Sequence, residues 1–324
     1  MVLNEPRGHL KWVAAFISSV TKWPLVRFLC LSLLILLPTV SPAQDPVFRT
    51  GISLVRIDAQ VSAGTGLIEG LGKDDFVVRD NGQTLPIRYI SQDEDPLDLM
   101  LLFDVSGSML PAMRRLAVSA HTALSELHKG DRVAVADFNT SARLLAPFND
   151  NLEEVTQRVG DIVDVPFGGG TFILKAVENA AQYFARNADQ HRRHGILIFT
   201  DNDGQCSARE KTVVDRLWQS DILLCGLIVP TAPMFRSSFP TLGSCESMNG
   251  AAEKTGGETV NADDPGHTFR DMIRRMRKRY SLFYDMPAAK KGSERKVVVE
   301  LSEAAKTRYP NGVVLARKGY LIPK

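Results

Sequence analysis

The stretch LLFDVSGSM, residues 101–109, joins an apolar run to a polar turn. Its first residues continue the run LDLMLLF, which is typical of a buried strand. Asp104, Ser106 and Ser108 follow at alternate positions, and Gly107 permits a tight bend between the two serines. Taken alone, the stretch fits two interpretations, a strand end with a serine cap or a set of oxygen ligands.

Strand-like and helix-like segments alternate around this stretch, between residues 97 and 262. The apolar runs LDLMLLF, RVAVADF, HGILIFT and DILLCGLIV predict buried strands. The segments MRRLAVSAHTALSELH, FILKAVENAAQYFARN and AREKTVVDRLWQ have the spacing of amphipathic helices. This alternation predicts an α/β domain with a doubly wound, mostly parallel sheet and helices on both faces.

The two flanks of this domain have a β-like pattern. Residues 44–96 contain LVRIDAQV and FVVRDNGQTLPIRYI, and residues 263–324 contain the helix-like TFRDMIRRMRKRY, followed by SLFYDM, RKVVVELS and GVVLARKGYLI as three strands. We expect the flanks to meet in one small β-rich module that resembles a sandwich.

The helical segment carries six basic residues, Arg270, Arg274, Arg275, Arg277, Lys278 and Arg279. We interpret these charges as a solvated face, with an anionic partner or a membrane surface as the alternative.

Residues 1–43 have the composition of a targeting segment and not of a folded domain. Basic residues precede the apolar run at residues 28–40, which is short for a membrane-spanning helix of about 20 residues but suits a signal peptide. Ser41 and Ala43 offer a cleavage site that would release a chain beginning near Gln44. We therefore expect an exported protein of the periplasm, cell envelope or medium, with an uncleaved membrane anchor as the alternative.

The candidate site comes from residues that are distant in sequence. In a doubly wound sheet, ligands bind beyond the carboxyl ends of the strands, where Asp104, Ser106 and Ser108 meet Thr171, after GGG, and Asp201, after GILIFT. All of these ligands are oxygens, which favours hard cations such as Mg²⁺ over zinc or copper. Two carboxylates balance a divalent ion, and an incomplete coordination shell would accept an anionic oxygen from outside.

The motifs DVSGSM, GGGT and FTDND resemble the metal-ion-dependent adhesion site (MIDAS) of von Willebrand factor type A domains. The resemblance implies Mg²⁺ or Mn²⁺ held by Ser106, Ser108 and Thr171, with Asp104 and Asp201 bound directly or through water. It also implies that an acidic residue of a protein partner completes the shell.

The resemblance extends beyond this domain. The segments LIEGLGKDDFVVRDNGQ, RYSLFYDMP and ARKGYLI are similar to von Willebrand A-related proteins of acidobacteria, which implies the flanking architecture and an export signal. The chain departs from the family after Asp201, where TDNDG stands in place of the common TDG, so the resemblance assigns no role to Asp203.

Three cysteines follow the predicted signal peptide, and none has the CxxC spacing of a zinc site. We predict a disulfide between Cys206 and Cys245 at the rim of the site, and a buried thiol at Cys225 inside an apolar strand. The loop PTAPMFRSSFPTLGSCESMNG follows the same strand, and its Phe235, Arg236 and Phe239 are candidates for partner contact or for simple packing within the loop.

An enzymatic function has weaker support. Asp104 ends a strand as the nucleophile of haloacid-dehalogenase-type phosphatases does, but Ser106 stands where their second aspartate is needed. No GxSxG, HExxH or Walker A motif is present, and the histidines of HRRH, His191 and His194, are predicted to be solvated. The net charge of +2 gives no reason to expect nucleic-acid binding.

The sequence therefore predicts an exported, non-enzymatic protein that binds a protein partner through a divalent ion. A structural or assembly component of the cell envelope with a metal-stabilised domain is the alternative, and a metal-dependent hydrolase is a third, less supported hypothesis.

Overall fold

The computed structural model describes residues 53–230 and 247–323. The predicted signal peptide, Cys245 and the candidate contact residues Phe235, Arg236 and Phe239 lie outside these ranges. Within them, no helix is both long and apolar enough to cross a membrane.

The strands are β1 Leu54–Ala63, β2 Gly66–Leu67, β3 Phe76–Asp80, β4 Gln83–Leu85, β5 Ile87–Gln92, β6 Leu97–Asp104, β7 Arg132–Phe138, β8 Ala142–Asn149, β9 Arg193–Thr200, β10 Ile222–Ile228, β11 Thr259–Asn261, β12 Tyr280–Asp285, β13 Glu294–Leu301, β14 Val313–Ala316 and β15 Gly319–Leu321. The helices are α1 Leu110–Leu124, α2 Leu152–Gly160, α3 Ile173–Asn187, α4 Glu210–Gln219, α5 Asn249–Thr255, α6 Pro265–Arg277 and α7 Glu303–Arg308. Short 3₁₀ segments cover Lys73–Asp75, Gly107–Met109 and Asp161–Asp164.

A six-stranded sheet in the order β11-β10-β9-β6-β7-β8 forms the centre of the α/β domain. Its neighbouring strands are parallel except at the edge, where β8 runs antiparallel to β7. The central strand β6 is buried along its whole length. The mostly parallel, doubly wound sheet confirms the predicted fold class.

Two apolar cores cover the two faces of this sheet. Leu99 and Leu101 of β6 pack in the core that includes α1, α2 and α6. Met100 and Leu102 point to the opposite face and pack in the core that includes α3, α4 and α5. The alternation follows from the period of two along a strand, and it explains why β6 has no polar residue before Asp104 other than Asp98.

The flanks form two antiparallel sheets around a third core. One sheet has the order β14-β1-β12-β5 with β2 paired to β1, and the other has the order β15-β13-β3-β4. Ile57, Val78, Leu282 and Val299 come from both flanks and pack together. The predicted β-rich module made by the N- and C-terminal segments is therefore confirmed.

The segment GVVLARKGYLI does not form the single strand that its pattern predicts. It divides into β14 and β15, which belong to different sheets. Between them, the Lys318 N–H donates to the Lys254 carbonyl at the end of α5, at 3.0 Å, and this contact holds the bend.

The interpretation of the basic segment as a solvated face is wrong for two of its arginines. Arg277 and Arg279 are only 2% and 1% exposed. Arg277 donates to the carbonyls of Asp93 and Asp95, both at 2.9 Å. Arg279 donates to the Leu315 carbonyl of β14 at 2.9 Å. They are buried because the β module covers the end of α6.

His194 is likewise buried rather than solvated, whereas His191 is exposed as predicted. The His194 Nδ1 lies 2.6 Å from the Ser220 carbonyl oxygen, and its Nε2 lies 2.9 Å from the Asp189 carbonyl oxygen. Both ring nitrogens are therefore used in packing the start of β9.

Arg193 joins the α/β domain to the β module. Its Nε donates to Asp58 of β1 at 3.1 Å, and its terminal nitrogens donate to the carbonyls of Met276 and Arg277 at 2.7 and 2.9 Å. Burial opposes the ionisation of Asp58, but Arg193 and two further arginines outweigh it and lower the pKa of this carboxyl.

We expect Arg193→Ala to lower the free energy of unfolding by about 1.5–3 kcal/mol, because Asp58, whose side chain is 18% exposed, loses its ion-pair partner and the carbonyls of Met276 and Arg277 lose their donor. Urea unfolding followed by circular dichroism would measure the change. The control is Arg270→Ala, which breaks an exposed ion pair with Glu126 and should cost only about 0–1 kcal/mol. Equal losses in the two variants would contradict this role for Arg193.

Candidate metal centre

The candidate centre lies at the carboxyl ends of β6 and β9. These strands are parallel neighbours with Phe103 opposite Phe199, so Asp104 at the end of β6 lies beside Thr200 at the end of β9. Asp201 follows directly, and the chain after Asp104 turns through the 3₁₀ segment that carries Ser108 into α1. The parallel register therefore brings the two predicted carboxylates to one edge.

A chain of hydrogen bonds connects four of the predicted residues. The Ser106 N–H donates to Asp104 Oδ1 at 2.8 Å, and the Ser106 and Ser108 hydroxyl oxygens are 3.3 Å apart. The Ser108 hydroxyl donates to Asp201 Oδ2 at 2.7 Å. The DVSGSM turn and the residue after β9 thus form one continuous polar cluster.

Thr171 is held against the same edge by its loop, and its side chain is buried. The Gly168 N–H donates to the Val105 carbonyl at 2.9 Å, and the Gln205 N–H donates to the Thr171 carbonyl at 2.8 Å. These bonds tie the loop to the turn after β6 on one side and to the segment after Asp201 on the other.

The backbone conformation of the loop before Thr171 requires glycine. Gly168 and Gly169 have φ values of +147° and +84°, which residues with a Cβ rarely adopt. The side-chain amide of Asn139, after β7, donates to the Gly168 carbonyl at 3.2 Å, and the backbone carbonyl of Asn139 accepts from the Phe172 N–H at 2.9 Å. The GGG sequence lets the loop follow this path and deliver Thr171.

Sequence reasoning missed Thr200. Its hydroxyl donates to Asp104 Oδ2 at 2.7 Å and accepts the Asn202 N–H at 3.0 Å. It therefore orients the carboxylate of Asp104 and fixes the turn that contains Asp201. The available signal was a hydroxyl at the end of the otherwise apolar strand GILIFT.

The candidate centre contains a buried carboxylate, Asp104, beside a second one, Asp201. Burial raises the pKa of Asp104 to about 6, and the neighbouring Asp201 carboxylate adds to the rise, while hydrogen bonds from Ser106 and Thr200 oppose it. In the described part of the chain, no lysine or arginine forms an ion pair with Asp104 or Asp201. A divalent cation would supply the missing positive charge.

The donor set fits a hard ion. Two carboxylates and three hydroxyls offer only oxygen atoms, the ligands that Mg²⁺ and Mn²⁺ accept. Within residues 53–230 and 247–323, no group of three or more His, Cys, Asp or Glu side chains is arranged to hold a metal. The hydroxyl-rich cluster at the sheet edge is therefore the candidate centre in this part of the chain.

The structure describes two of the three cysteines that follow the predicted signal peptide, one as a free thiol and one as disulfide-bonded, as predicted. Cys225 is a buried free thiol in β10, and burial raises its pKa to about 11. Cys206 is disulfide-bonded. Its predicted partner, Cys245, lies outside the described residues, so this pairing stays a prediction.

We expect Thr200→Val to lower the free energy of unfolding by about 1–3 kcal/mol at neutral pH in a metal chelator, because Asp104 loses a buried donor. Thr200→Ser retains the hydroxyl and should recover most of the loss. Denaturant unfolding of the two variants beside the native chain provides the measurement. A valine variant as stable as the native chain would exclude this role for the hydroxyl.

Residues 99–205 match the family model of the von Willebrand factor type A (VWA) domain, and this segment includes Asp104, Ser106, Ser108, Thr171 and Asp201. No curated protein sequence matches the chain.

Several solved structures are similar to the chain at low sequence identity. An aerotolerance-related membrane protein from Bacteroides fragilis is 16% identical, with a TM-score of 0.45, over 56% of this chain and 99% of that chain. A von Willebrand factor type A protein from Catenulispora acidiphila is 12% identical, with a TM-score of 0.45, over 86% of this chain and 76% of that chain.

Proximal thread matrix protein 1 from the mussel byssus, in a structure with a zinc-occupied MIDAS motif, is 15% identical, with a TM-score of 0.47, over 62% of this chain and 50% of that chain. The chain thus spans half the length of the mussel protein. The match to the family model covers residues 99–205, and over this segment the chain is similar to proteins that contain a von Willebrand factor type A domain.

Proposed function

We propose that this protein is an exported, non-enzymatic binding protein whose VWA domain engages a protein partner through Mg²⁺ or Mn²⁺. Ser106, Ser108 and Thr171 would bind the ion, and Asp104 and Asp201 would bind it directly or through water. The ion supplies a positive charge with an open coordination position, which an aspartate or glutamate of the partner fills.

The observation that carries this proposal is the lack of a positive partner for Asp104. This carboxylate is fully buried, lies in the field of Asp201 and pairs with no basic side chain of the described residues. A buried charge without compensation is costly, so a protein retains one where a ligand supplies the compensation. The hydroxyls of Ser106 and Ser108 extend this cluster towards the surface.

The candidate centre is partly open to solvent, so a side chain of a partner protein could reach it. Asp104, Ser106 and Thr171 are buried, whereas Ser108 and Asp201 are partly exposed and Gly107, Gly169, Asp203 and Gln205 around them are exposed. An ion held at this depth would be reached from one side only. A carboxylate on a protruding partner side chain could therefore complete its coordination shell.

A binding role is favoured over hydrolysis by the contacts of the two serines. Their hydroxyls contact each other and Asp201, and no histidine of the described residues is hydrogen-bonded to either. A serine nucleophile requires an adjacent base. The disulfide at Cys206 supports export, because disulfides persist in oxidising compartments.

The first test is capture of envelope proteins by the full chain with Mg²⁺ and with EDTA. We expect a partner that is retained with Mg²⁺, released by EDTA and lost in the Ser106→Ala/Ser108→Ala double variant. The matched control is Ser119→Ala/Ser125→Ala, because the hydroxyls of these serines donate to backbone carbonyls of α1 and lie outside the candidate centre. Retention that is unchanged by EDTA and by the site variant would refute the proposal.

The second test separates ion binding from partner binding. Because the pKa of Asp104 is raised above its ordinary value, the folded metal-free chain binds more protons than the unfolded chain between about pH 4 and pH 6. This group therefore makes the metal-free fold less stable as pH rises through that window. Since protons compete with the ion, Mg²⁺ should raise the melting temperature more at about pH 7.5 than at about pH 5.

Asp104→Asn is the control for this pH dependence, because it keeps the shape of the side chain and removes the titrating group. We expect Mg²⁺ to shift the melting temperature of this variant little at either pH. A native Mg²⁺ shift without any captured partner would instead favour a structural component of the envelope with a metal-stabilised domain. No Mg²⁺ or Mn²⁺ shift in the native chain would contradict the metal centre.

A further inference from the structure

A cavity of about 700 Å³ lies between α4 of the VWA domain and the strands β13 and β14 of the β module. Its volume is in the range of about 300–1,000 Å³ that is typical of small-molecule sites. None of the residues of the candidate metal centre lines it. The cavity is therefore a separate feature, formed where the two parts of the fold meet.

The walls of this cavity are apolar and come from three elements. Val214 and Trp218 of α4 face Val298 of β13, with Val314 and Ala316 of β14 completing the surface. Val298 is 49% exposed, because it stands on the face of β13 opposite Val297 and Val299, which pack in the core of the β module. An apolar surface of this kind gains free energy when a ligand covers it.

Trp218 makes the wall rigid. Its indole Nε1–H donates to the Lys254 carbonyl at 3.1 Å, and its side chain is only 9% exposed. Its ring also lies so close to Gly319 that a Cβ there would be 2.9 Å from the nearest ring carbon. The aromatic wall is thus fixed before any ligand binds.

The rim of the cavity carries Arg317 and four lysines, Lys211, Lys254, Lys296 and Lys318, together with the acidic Asp215 and Glu294. Three of the lysines have acidic partners: Lys211 pairs with Asp215 at 3.1 Å and with Glu294 at 3.2 Å, Lys254 pairs with Glu210, and Lys318 pairs with Glu253. The ammonium group of Lys296 has no acidic partner among the described residues. It stands two residues before Val298 on β13, so both side chains extend from the same face.

We propose that this cavity binds an anionic amphiphile, a molecule with an aliphatic chain and a carboxylate or phosphate head. The chain would cover Val298 and the exposed parts of the wall around it, and the head would pair with Lys296.

Isothermal titration of the full chain with dodecanoate and with dodecyl phosphate, below their micelle concentrations, tests this proposal. We expect saturable binding of both and loss of binding in Val298→Asp, which puts a charge on the apolar wall. Lys296→Gln should weaken dodecanoate binding by about tenfold, as for one lost charge-assisted contact, and leave dodecanol binding unchanged. The matched control is Val118→Asp, at an 86% exposed valine of α1.

A second arm identifies the source of the ligand. Flotation with phosphatidylglycerol vesicles that Val298→Asp abolishes would assign a membrane lipid, whereas titration without flotation would assign a free amphiphile. No saturable binding of either probe, equal effects of Val298→Asp and Val118→Asp, or binding of acidic peptides alone would overturn the proposal. All titrations are carried out in EDTA, so their outcome does not depend on whether the candidate centre binds a metal ion.

Discussion

The parallel pairing of β6 with β9 is the constraint on which the site depends. It places Asp104 beside Thr200 and Asp201, although about a hundred residues of chain separate them. Burial then removes Asp104 from water, and the hydroxyl of Thr200 and the N–H of Ser106 compensate only part of its charge. The glycine-rich loop before Thr171 can follow its path because Gly168 and Gly169 adopt positive φ values. The centre is therefore a consequence of strand register, with the serine turn added to it.

A second set of buried charges holds the β module against this sheet. Arg193 begins β9, and its guanidinium contacts Asp58 of the module and the last carbonyls of α6. The same strand that ends at the metal centre is thus anchored at its other end by an ion pair. The two ends differ in one respect: Asp58 has basic partners within the fold, whereas Asp104 has none in the described residues.

Much of the fold and of the candidate site could be predicted because local patterns carry them. Apolar runs of strand length, GGGT and the DVSGSM turn identify elements without knowledge of their neighbours. Thr200, Arg277 and Arg279 could not be interpreted in this way, since their roles depend on what packs against them. A basic helix with an apolar stripe predicts a solvated opposite face only if no other element covers it, and here the β module does. The edge strand β8, antiparallel to β7, also has no distinctive signal in its mixed pattern.

The junction that buries the arginines also leaves the cavity below α4. The strands β14 and β15 separate into different sheets at Arg317 and Lys318. Val298 stands on the face of β13 opposite Val297 and Val299, which pack in the core of the module, so it lies outside that core beside Trp218. In the part of the chain that the structure describes, Asp104 has no basic partner and Lys296 has no acidic partner, so each suits a ligand of opposite charge.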